Sequence, residues 1–297
     1  MNRENLAYLM LVLTTVFWSG NFIVGKAASF YEIPPFALNF YRWFFAGLIL
    51  LPFTIKELNY KKKYLKDNVL YFIVLGVTSI TIFNSVVYYA LYYTQVITGL
   101  LMISTIPVWI IFISSILKIE QTNAYQIIGV IFSLFGVVAI ITKIDLEILK
   151  NLDFNKGDLS MIIAMFSWAI YSALLKKKEH EISQLALLQM VIFCGLFFLI
   201  PICIIEFVLG NKITLGKPFY LTLTYVIFFP GLFAFFFWIK GISIIGANRA
   251  GIFLHLMPII GAIMAMIIFK EKFMYYHLLG AILIIAGITL SNKKVIK

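Results

Sequence analysis

Acidic side chains are scarce in this sequence, and charges of either sign are few. Of the 297 residues only 12% are charged, with 13 Asp and Glu against 24 Lys and Arg, whereas 62% are hydrophobic. A soluble domain averages about a quarter charged residues and about half apolar ones. Because a water-soluble chain of this length cannot bury so much apolar surface, the composition excludes an ordinary soluble protein.

Cysteine and histidine are also rare. Cys194 and Cys203 lie nine residues apart in one apolar run, a spacing that suits neither a metal site nor a disulfide framework. The three histidines, His180, His255 and His277, lie on different spans or loops. The sequence also lacks the P-loop, GxSxG, HExxH and CxxC motifs. We therefore predict that the protein is not an enzyme and has no catalytic residues, metal or cofactor.

Ten apolar stretches alternate with clusters of charged and turn residues. A helix needs about 20 apolar residues to cross roughly 30 Å of hydrocarbon. The first stretch is longer than the apolar region of a signal peptide, and we interpret it as a retained helix. The fold class predicted is an all-α integral membrane protein. Its predicted spans are residues 6–28, 36–56, 69–93, 96–118, 123–142, 158–176, 184–208, 219–240, 249–269 and 274–292.

The formal net charge of +11 comes from lysines and arginines in short loops between these spans. No soluble basic domain is available to bind nucleic acid, so we expect no nucleic-acid partner. Cytoplasmic loops keep more Lys and Arg than translocated loops. The basic runs 61–63 and 176–178 fall on one side of the membrane. This pattern predicts a multi-pass protein of the cell (inner/cytoplasmic) membrane with both termini in the cytoplasm.

The second half of the chain repeats the first. At an offset of 151 the identities are Pro107/Pro258, Ile116/Ile267, Glu120/Glu271, Tyr125/Tyr276, Gly129/Gly280, Ile131/Ile282 and Gly136/Gly287. At an offset of 150, Trp18 and Lys26 align with Trp168 and Lys176. Each copy has five spans, and an odd number places the copies in opposite orientations across the membrane. The predicted domains are a first repeat at 1–142, a connecting loop at 143–157 and a second repeat at 158–297. Inverted repeats are common in secondary transporters.

The paired Pro, Glu, Gly and Gly pattern resembles the EamA family of the drug/metabolite transporter superfamily. FWSGNF in the first span and NFYRWFFAG in the second add to this resemblance. It covers nearly the whole chain, and it implies two inverted five-helix repeats around a central cavity. It also implies transport of amino acids or other small metabolites, often outward. The second repeat has Tyr171 in place of Asn21 and no arginine equivalent to Arg42, so any site is asymmetric.

Polar and aromatic side chains recur on single faces of several spans. Trp18 and Asn21 share a face of the first span, as do Asn84 and Tyr88 in the third. Interhelical hydrogen bonding and aromatic packing explain such faces equally well. The predicted substrate-binding residues are Trp18, Asn21, Asn84, Tyr88, Ser104, Trp168, Tyr171, Trp238 and His255.

His255 lies about six residues, or roughly 9 Å, into the ninth span. Ser104 is its equivalent in the fourth span. This pair suits a substrate or proton site, and the alternative is a neutral histidine bonded to a neighbouring backbone group. Pro107 and Pro258 each free a backbone carbonyl, at 103 or 104 and at 254 or 255. We interpret each proline as a hinge or as a static bend.

Three charged residues lie at the ends of spans. Arg42 is near one end of the second span, where extension to the lipid headgroups is the leading interpretation and an anionic substrate the alternative. Glu120 and Glu271 precede the fifth and tenth spans, where the helix dipole favours a carboxylate. We interpret both glutamates as structural.

The sequence therefore predicts a secondary transporter that exports a small organic metabolite, such as an amino acid, by alternating access. Its partners are the small-molecule substrate and the lipid bilayer, and it is a monomer or homodimer. The alternatives are a facilitative permease or importer of metabolites or drugs, and a non-transporting membrane protein.

Overall fold

The computed structural model describes residues 2–145, 147, 155–177, 181–269 and 274–293, and these ranges contain helices and no strand. A short helix, Lys62–Asp67, lies between the second and third of ten membrane segments. The segments are α1 Arg3–Phe30, α2 Pro35–Tyr60, α3 Val69–Tyr93, α4 Val96–Ile103 with Ile106–Ile116, α5 Ala124–Thr142, α6 Lys156–Lys176, α7 Gln184–Val208, α8 Lys217–Ile245, α9 Ala247–Gly251 with Ile252–His255 and Leu256–Phe269, and α10 Tyr275–Ser291.

The segments have the length and composition of membrane helices. Within the described ranges nine are long and apolar enough to cross a bilayer, and α10 is a shorter apolar helix. Large apolar side chains such as Phe53, Phe197 and Ile204 are exposed on the outside of the bundle, where a membrane protein contacts lipid. These features confirm the predicted fold class.

Helices α5 and α10 pack closely because glycines allow their backbones to touch. A Cβ atom on Gly129 would lie 2.5 Å from the Gly287 carbonyl oxygen, and one on Gly136 would lie 2.6 Å from that of Gly280. From Gly129 to Gly136 along α5, the contacted residues on α10 run backwards from Gly287 to Gly280, so the two helices are antiparallel. Replacing each glycine by its repeat equivalent, 151 residues away, converts the Gly129–Gly287 contact into the Gly136–Gly280 contact. A pseudo-twofold axis therefore relates the two repeats, which confirms that they are inverted.

Helices α4 and α9 are interrupted at equivalent points. Helix α4 has a hydrogen-bonded turn at residues 104–105 between its two pieces, and α9 narrows to a 3₁₀ turn at Ile252–His255 before its last piece begins. We expected each proline to bend a continuous helix. Pro107 instead occupies the first turn of a new helix piece, where its missing N–H costs no hydrogen bond. The interruption in α4 is therefore a local turn with helical backbone angles, and the hinge role of both prolines stays a prediction.

Helices α3 and α8 each contain a π-helical stretch, Val77–Asn84 and Ile227–Phe233. The two stretches are equivalent at an offset of 150. π-Helical turns are rare and are frequent at functional sites. The four irregular helices, two from each repeat, each carry a buried residue at their irregularity: Asn84, Ser104, Gly231 and His255.

Glutamates at helix ends cap helices of the opposite repeat. The Glu120 carboxylate accepts hydrogen bonds from the N–H groups of Ala247 and Asn248, both at 2.9 Å. The structural interpretation of Glu120 is confirmed, but it stabilises the start of α9 rather than that of α5. Helix α5 is capped by Asn123 and Gln126. Glu271, the repeat equivalent of Glu120, lies outside the described residues.

A second pair of glutamates links α2 and α7 in both directions. Glu206, near the end of α7, accepts hydrogen bonds from the N–H groups of Phe36 at 3.2 Å and Ala37 at 2.7 Å. Glu57, near the end of α2, accepts from the N–H and hydroxyl of Ser183, each at 2.6 Å. Carboxylates at helix N-termini are stabilised by the helix dipole. These caps fasten the two repeats to each other.

Candidate functional site

The three tryptophans predicted for the site meet at the centre of the bundle. The Trp18 and Trp168 rings are 5.0 Å apart at nearly right angles, and the Trp238 ring is 5.3 Å from that of Trp18. Tyr171 lies 5.0 Å from Trp168. Phe235, which the sequence did not single out, contacts the same rings. Edge-to-face aromatic pairs of this kind are favourable beyond their buried area. Because the rings contact each other directly, they fill the space between the helices at the centre.

A polar network lies beside the aromatic cluster. Arg42 Nη1 donates to Asn84 Oδ1 at 2.9 Å and to Tyr88 Oη at 2.7 Å. Tyr88 in turn donates to Asn21 Oδ1 at 2.8 Å. The prediction that Arg42 extends to the lipid headgroups is wrong, because its side chain is fully buried. Acceptors on α3 draw the guanidinium inward.

A small cavity separates the two groups. Its volume is about 10 Å³, which is room for about one water molecule at most. Trp168 borders this cavity, and its indole N–H has no hydrogen-bond acceptor among the described residues. The other walls are formed by Trp18, Asn21, Phe22, Phe83, Asn84 and Leu254. In this conformation the centre is occluded, so a solute can enter only if the rings separate.

His255 and Ser104 meet where α4 and α9 cross. His255 Nε2 is 2.8 Å from the Ser104 carbonyl oxygen, at the turn between the two pieces of α4. Its Nδ1 is 2.5 Å from Ser133 Oγ on α5. The imidazole is fully buried, in agreement with the alternative that it bonds to neighbouring helices. A role of Ser104 and His255 in substrate or proton binding stays a prediction.

A larger cavity of about 430 Å³ opens at one end of the bundle. It lies between α1, α5, the start of α4 and α10, and the last piece of α9, with Lys26 and Lys143 at its border. Ser19 lines this cavity, and its hydroxyl lies 3.3 Å from the Met257 carbonyl oxygen beside Pro258. We call this cavity the vestibule.

The equivalent region at the other end of the bundle is packed. Ile23 and Val96 line the vestibule and are partly exposed, whereas their repeat equivalents, Ala173 and Ala247, are fully buried. Gly251 lies so close to α4 that an added Cβ atom would be 2.9 Å from Ile110 Cδ1. The scaffold is symmetric, but its two ends differ. Such a difference is typical of a carrier with one gate open and the other closed.

Inverted five-helix repeats, interrupted helices at the centre and a cavity open at one end define the architecture of a secondary transporter. The model of the EamA-like transporter family matches the chain twice, at residues 5–142 and 155–293. The chain belongs to this family, and its general role is that of a membrane transporter.

Known relatives span almost the whole chain. An uncharacterized transporter of Archaeoglobus fulgidus is 28% identical over 291 residues, which cover 97% of each chain. The S-adenosylmethionine uptake transporter of Rickettsia prowazekii is 26% identical over 269 residues, covering 87% of this chain and 84% of that one. A solved crystal structure with 15% identity has a TM-score of 0.72 and covers 96% of this chain and 95% of its own. That structure shares the fold.

Proposed function

We propose that the protein exports a small organic metabolite, with amino acids as the first class to test, across the cell membrane by alternating access. The observation that carries this proposal is the difference between the two ends of a symmetric scaffold. The vestibule opens at one end, where Ser19 in its lining is next in sequence to Trp18 of the centre, while the equivalent helices at the other end are in contact. Exchange of these two arrangements between the repeats would expose the centre to the opposite side.

The interrupted helices supply the places where this exchange can occur. The pieces of α4 are separated at residues 104–105, and those of α9 at the 3₁₀ turn before Leu256. At these turns the ladder of helix hydrogen bonds is irregular, so tilting one piece would break fewer of them than tilting within a regular helix. We assign the hinges to Pro107 and Pro258, because each lies within a few residues of its interruption. The His255 contact to α4 then joins the two moving helices.

The centre suits an amphipathic solute. One wall contains aromatic rings, and the other contains Asn21 and Asn84, whose amides both donate and accept hydrogen bonds. No described residue accepts a hydrogen bond from the indole N–H of Trp168, so a solute oxygen would satisfy it. We assign substrate contacts to the nine residues predicted from sequence, with Ser104 and His255 at the helix crossing and the other seven at the centre.

Uptake is the second candidate direction. It is favoured by the Rickettsia prowazekii relative, whose name states uptake of S-adenosylmethionine. That solute carries an amino-acid group, an adenine ring and a positive charge. The same centre could bind it from the vestibule side, which the distribution of basic residues predicts to be extracellular.

The test begins with an untargeted comparison of metabolites inside and outside cells that have or lack the protein. Each solute that changes is then measured for flux in proteoliposomes with the full chain. We expect Trp168→Ala to reduce flux at least about 10-fold, because it removes a wall of the centre. Trp109→Ala is the matched control, since Trp109 is half-buried on α4 away from the cavity.

A scaffold without transport activity would give a different result. No solute would change between the two cell lines, and no tested solute would cross proteoliposomes that contain the wild-type chain. Equal flux in the wild type and in Trp168→Ala would instead show that transport does not use the centre.

A further inference from the structure

Arg42 is a buried cation in the membrane-spanning part of the protein. It is the eighth residue of α2, or roughly 10 Å along the helix from its first residue. Its side chain has no exposed surface. Among the described residues it forms no salt bridge with Asp or Glu. A charge in such a place is costly unless it is paired, and in membrane proteins it usually marks a substrate or ion path.

The contacts of Arg42 satisfy only one corner of the guanidinium. Nη1 donates to Asn84 and Tyr88, whereas Nε and Nη2 have no acceptor within the described part of the chain. The N–H groups of Nε and Nη2 point in parallel from the same edge of the guanidinium plane. This edge matches the two oxygens of a carboxylate in a bidentate pair. The unsatisfied part of Arg42 therefore has the shape of a carboxylate site.

Aromatic rings surround the guanidinium and stabilise it in part. Its central carbon lies 4.8 Å from the Trp43 ring, 5.8 Å from the Tyr88 ring and 5.9 Å from the Phe235 ring. At these distances the rings make cation–π contacts with the guanidinium. They attract the charge but provide no acceptor for an N–H group. Two buried donor atoms, Nε and Nη2, thus remain without acceptors in the ranges that the structure describes, despite these rings.

The edge formed by Nε and Nη2 of Arg42 lies next to the π-helical stretch of α8. A Cβ atom on Gly231 would lie 3.5 Å from Arg42 Nε, and Gly231 belongs to the π-helical stretch of α8. On the other side, Asn84 both binds Arg42 and borders the central cavity. A small shift of the π-helical turn or of Asn84 would connect the edge to the cavity.

We infer that Arg42 binds a carboxylate group of the transported solute through its Nε and Nη2 edge, with Asn84 and Tyr88 holding the guanidinium in position. This inference rests on the proposed transport function and narrows its substrate class to carboxylates, of which amino acids are one kind. The aromatic wall then receives the apolar part of the same solute.

The experiment compares carboxylates with their neutral amides on the purified full chain. The probes are the twenty common L-amino acids, S-adenosyl-L-methionine and simple carboxylates from acetate to citrate, each measured for binding by thermal stabilisation. For each carboxylate that binds, the matching carboxamide is measured as well. Loss of one partner of a buried charge pair costs about 2 kcal/mol or more, which corresponds to about 30-fold weaker binding. We therefore expect the wild type to bind each carboxamide about 30-fold more weakly than the matching carboxylate.

Variants separate a binding role from a structural one. Arg42→Gln should weaken carboxylate binding by the same factor of about 30, and the carboxamide should then bind Arg42→Gln no more weakly than the carboxylate does. Arg42→Lys keeps the charge but not the paired donors, and should recover only part of the affinity. Arg249→Gln is the matched control, because Arg249 pairs with Asn292 and Glu4 at the end of the bundle. It should keep the wild-type preference for carboxylates.

Three results would overturn the inference. The wild type could bind carboxamides as tightly as carboxylates, which needs no variant to detect. Arg42→Gln could weaken both probes equally, which would make Arg42 a structural residue. The wild type could bind none of the carboxylates while proteoliposomes transport a solute without a carboxylate. In that last case the proposed transport function would stand, whereas a lack of flux for every solute would refute the transport function itself.

Discussion

The contact between Glu120 and α9 predicts a local effect that can be measured without knowing the substrate. Replacing Glu120 by glutamine removes the negative charge from the first turn of α9 and leaves one amide oxygen to accept a hydrogen bond. Two N–H groups lose a charged acceptor that lies 2.9 Å from each of them. We therefore expect α9 to open more often at residues 247–251, while the helices of the first repeat are unaffected.

The size of the effect follows from the two hydrogen bonds. A hydrogen bond to a charged group contributes about 1.5–3 kcal/mol, and a charge at a helix end contributes about 0.3–1 kcal/mol. Glu120→Gln retains one acceptor, so the expected loss is about 2 kcal/mol, or about 30-fold in the local opening equilibrium. Glu120→Ala retains none, and its loss should be larger, at about 3 kcal/mol or more.

Hydrogen–deuterium exchange measures this opening directly. The peptide that contains residues 247–251 should exchange about 30-fold faster in Glu120→Gln and faster still in Glu120→Ala. Glu32→Gln is the control, because Glu32 is exposed and lies in a different loop. Unchanged exchange at the start of α9, or an equal increase throughout the chain, would show that the Glu120 contact does not hold α9 in place.

Three further predictions concern packing, the helix crossing and the vestibule. Gly129→Leu should lower the midpoint of thermal unfolding by about 5 °C, because it forces α5 and α10 apart. Gly216→Leu is the control and should change this midpoint by about 1 °C or less, since a Cβ atom added there would have its nearest neighbour 3.7 Å away. His255→Ala leaves a buried carbonyl without a donor and should cost about 1–3 kcal/mol in denaturant unfolding, and His255→Asn should recover part of this loss; equal stability of both variants would contradict the contact. In a chain without native cysteines, Ile23→Cys should react with an aqueous maleimide at least about 10-fold faster than Ala173→Cys, and equal rates would show that the two ends do not differ.

The inverted architecture could be predicted from sequence because the repeats kept identical residues where backbones approach each other. Gly129 and Gly136 align with Gly280 and Gly287 at one offset, and the structure brings these four residues into two symmetric contacts. Apolar runs of membrane length gave the helices independently. Both signals are local or periodic, so they can be read without knowing the tertiary packing.

Residues whose roles depend on partners from distant helices could not be assigned in this way. The sequence predicts that Arg42 extends to the headgroups, because a position near a span end does not reveal the direction of a side chain. Acceptors on α3 determine that direction. Glu120 was assigned to the helix that follows it, although its partners are 127 and 128 residues away. The π-helical stretches have no pattern in apolar residues that distinguishes them from α-helix.

The two repeats contribute unlike surfaces to the centre, and this difference has a mechanistic consequence. The polar network comes from the first repeat, and most of the aromatic rings come from the second. At an offset of 150 the equivalents of Asn21, Arg42, Asn84 and Tyr88 are Tyr171, Ile192, Ala234 and Trp238. Symmetry of the backbone allows the two ends to exchange shapes at similar energy, but symmetry of the lining would let a solute bind in either orientation. Under the proposed mechanism, this asymmetric lining should hold a solute with one charged and one apolar end in a single orientation while the helices around it move.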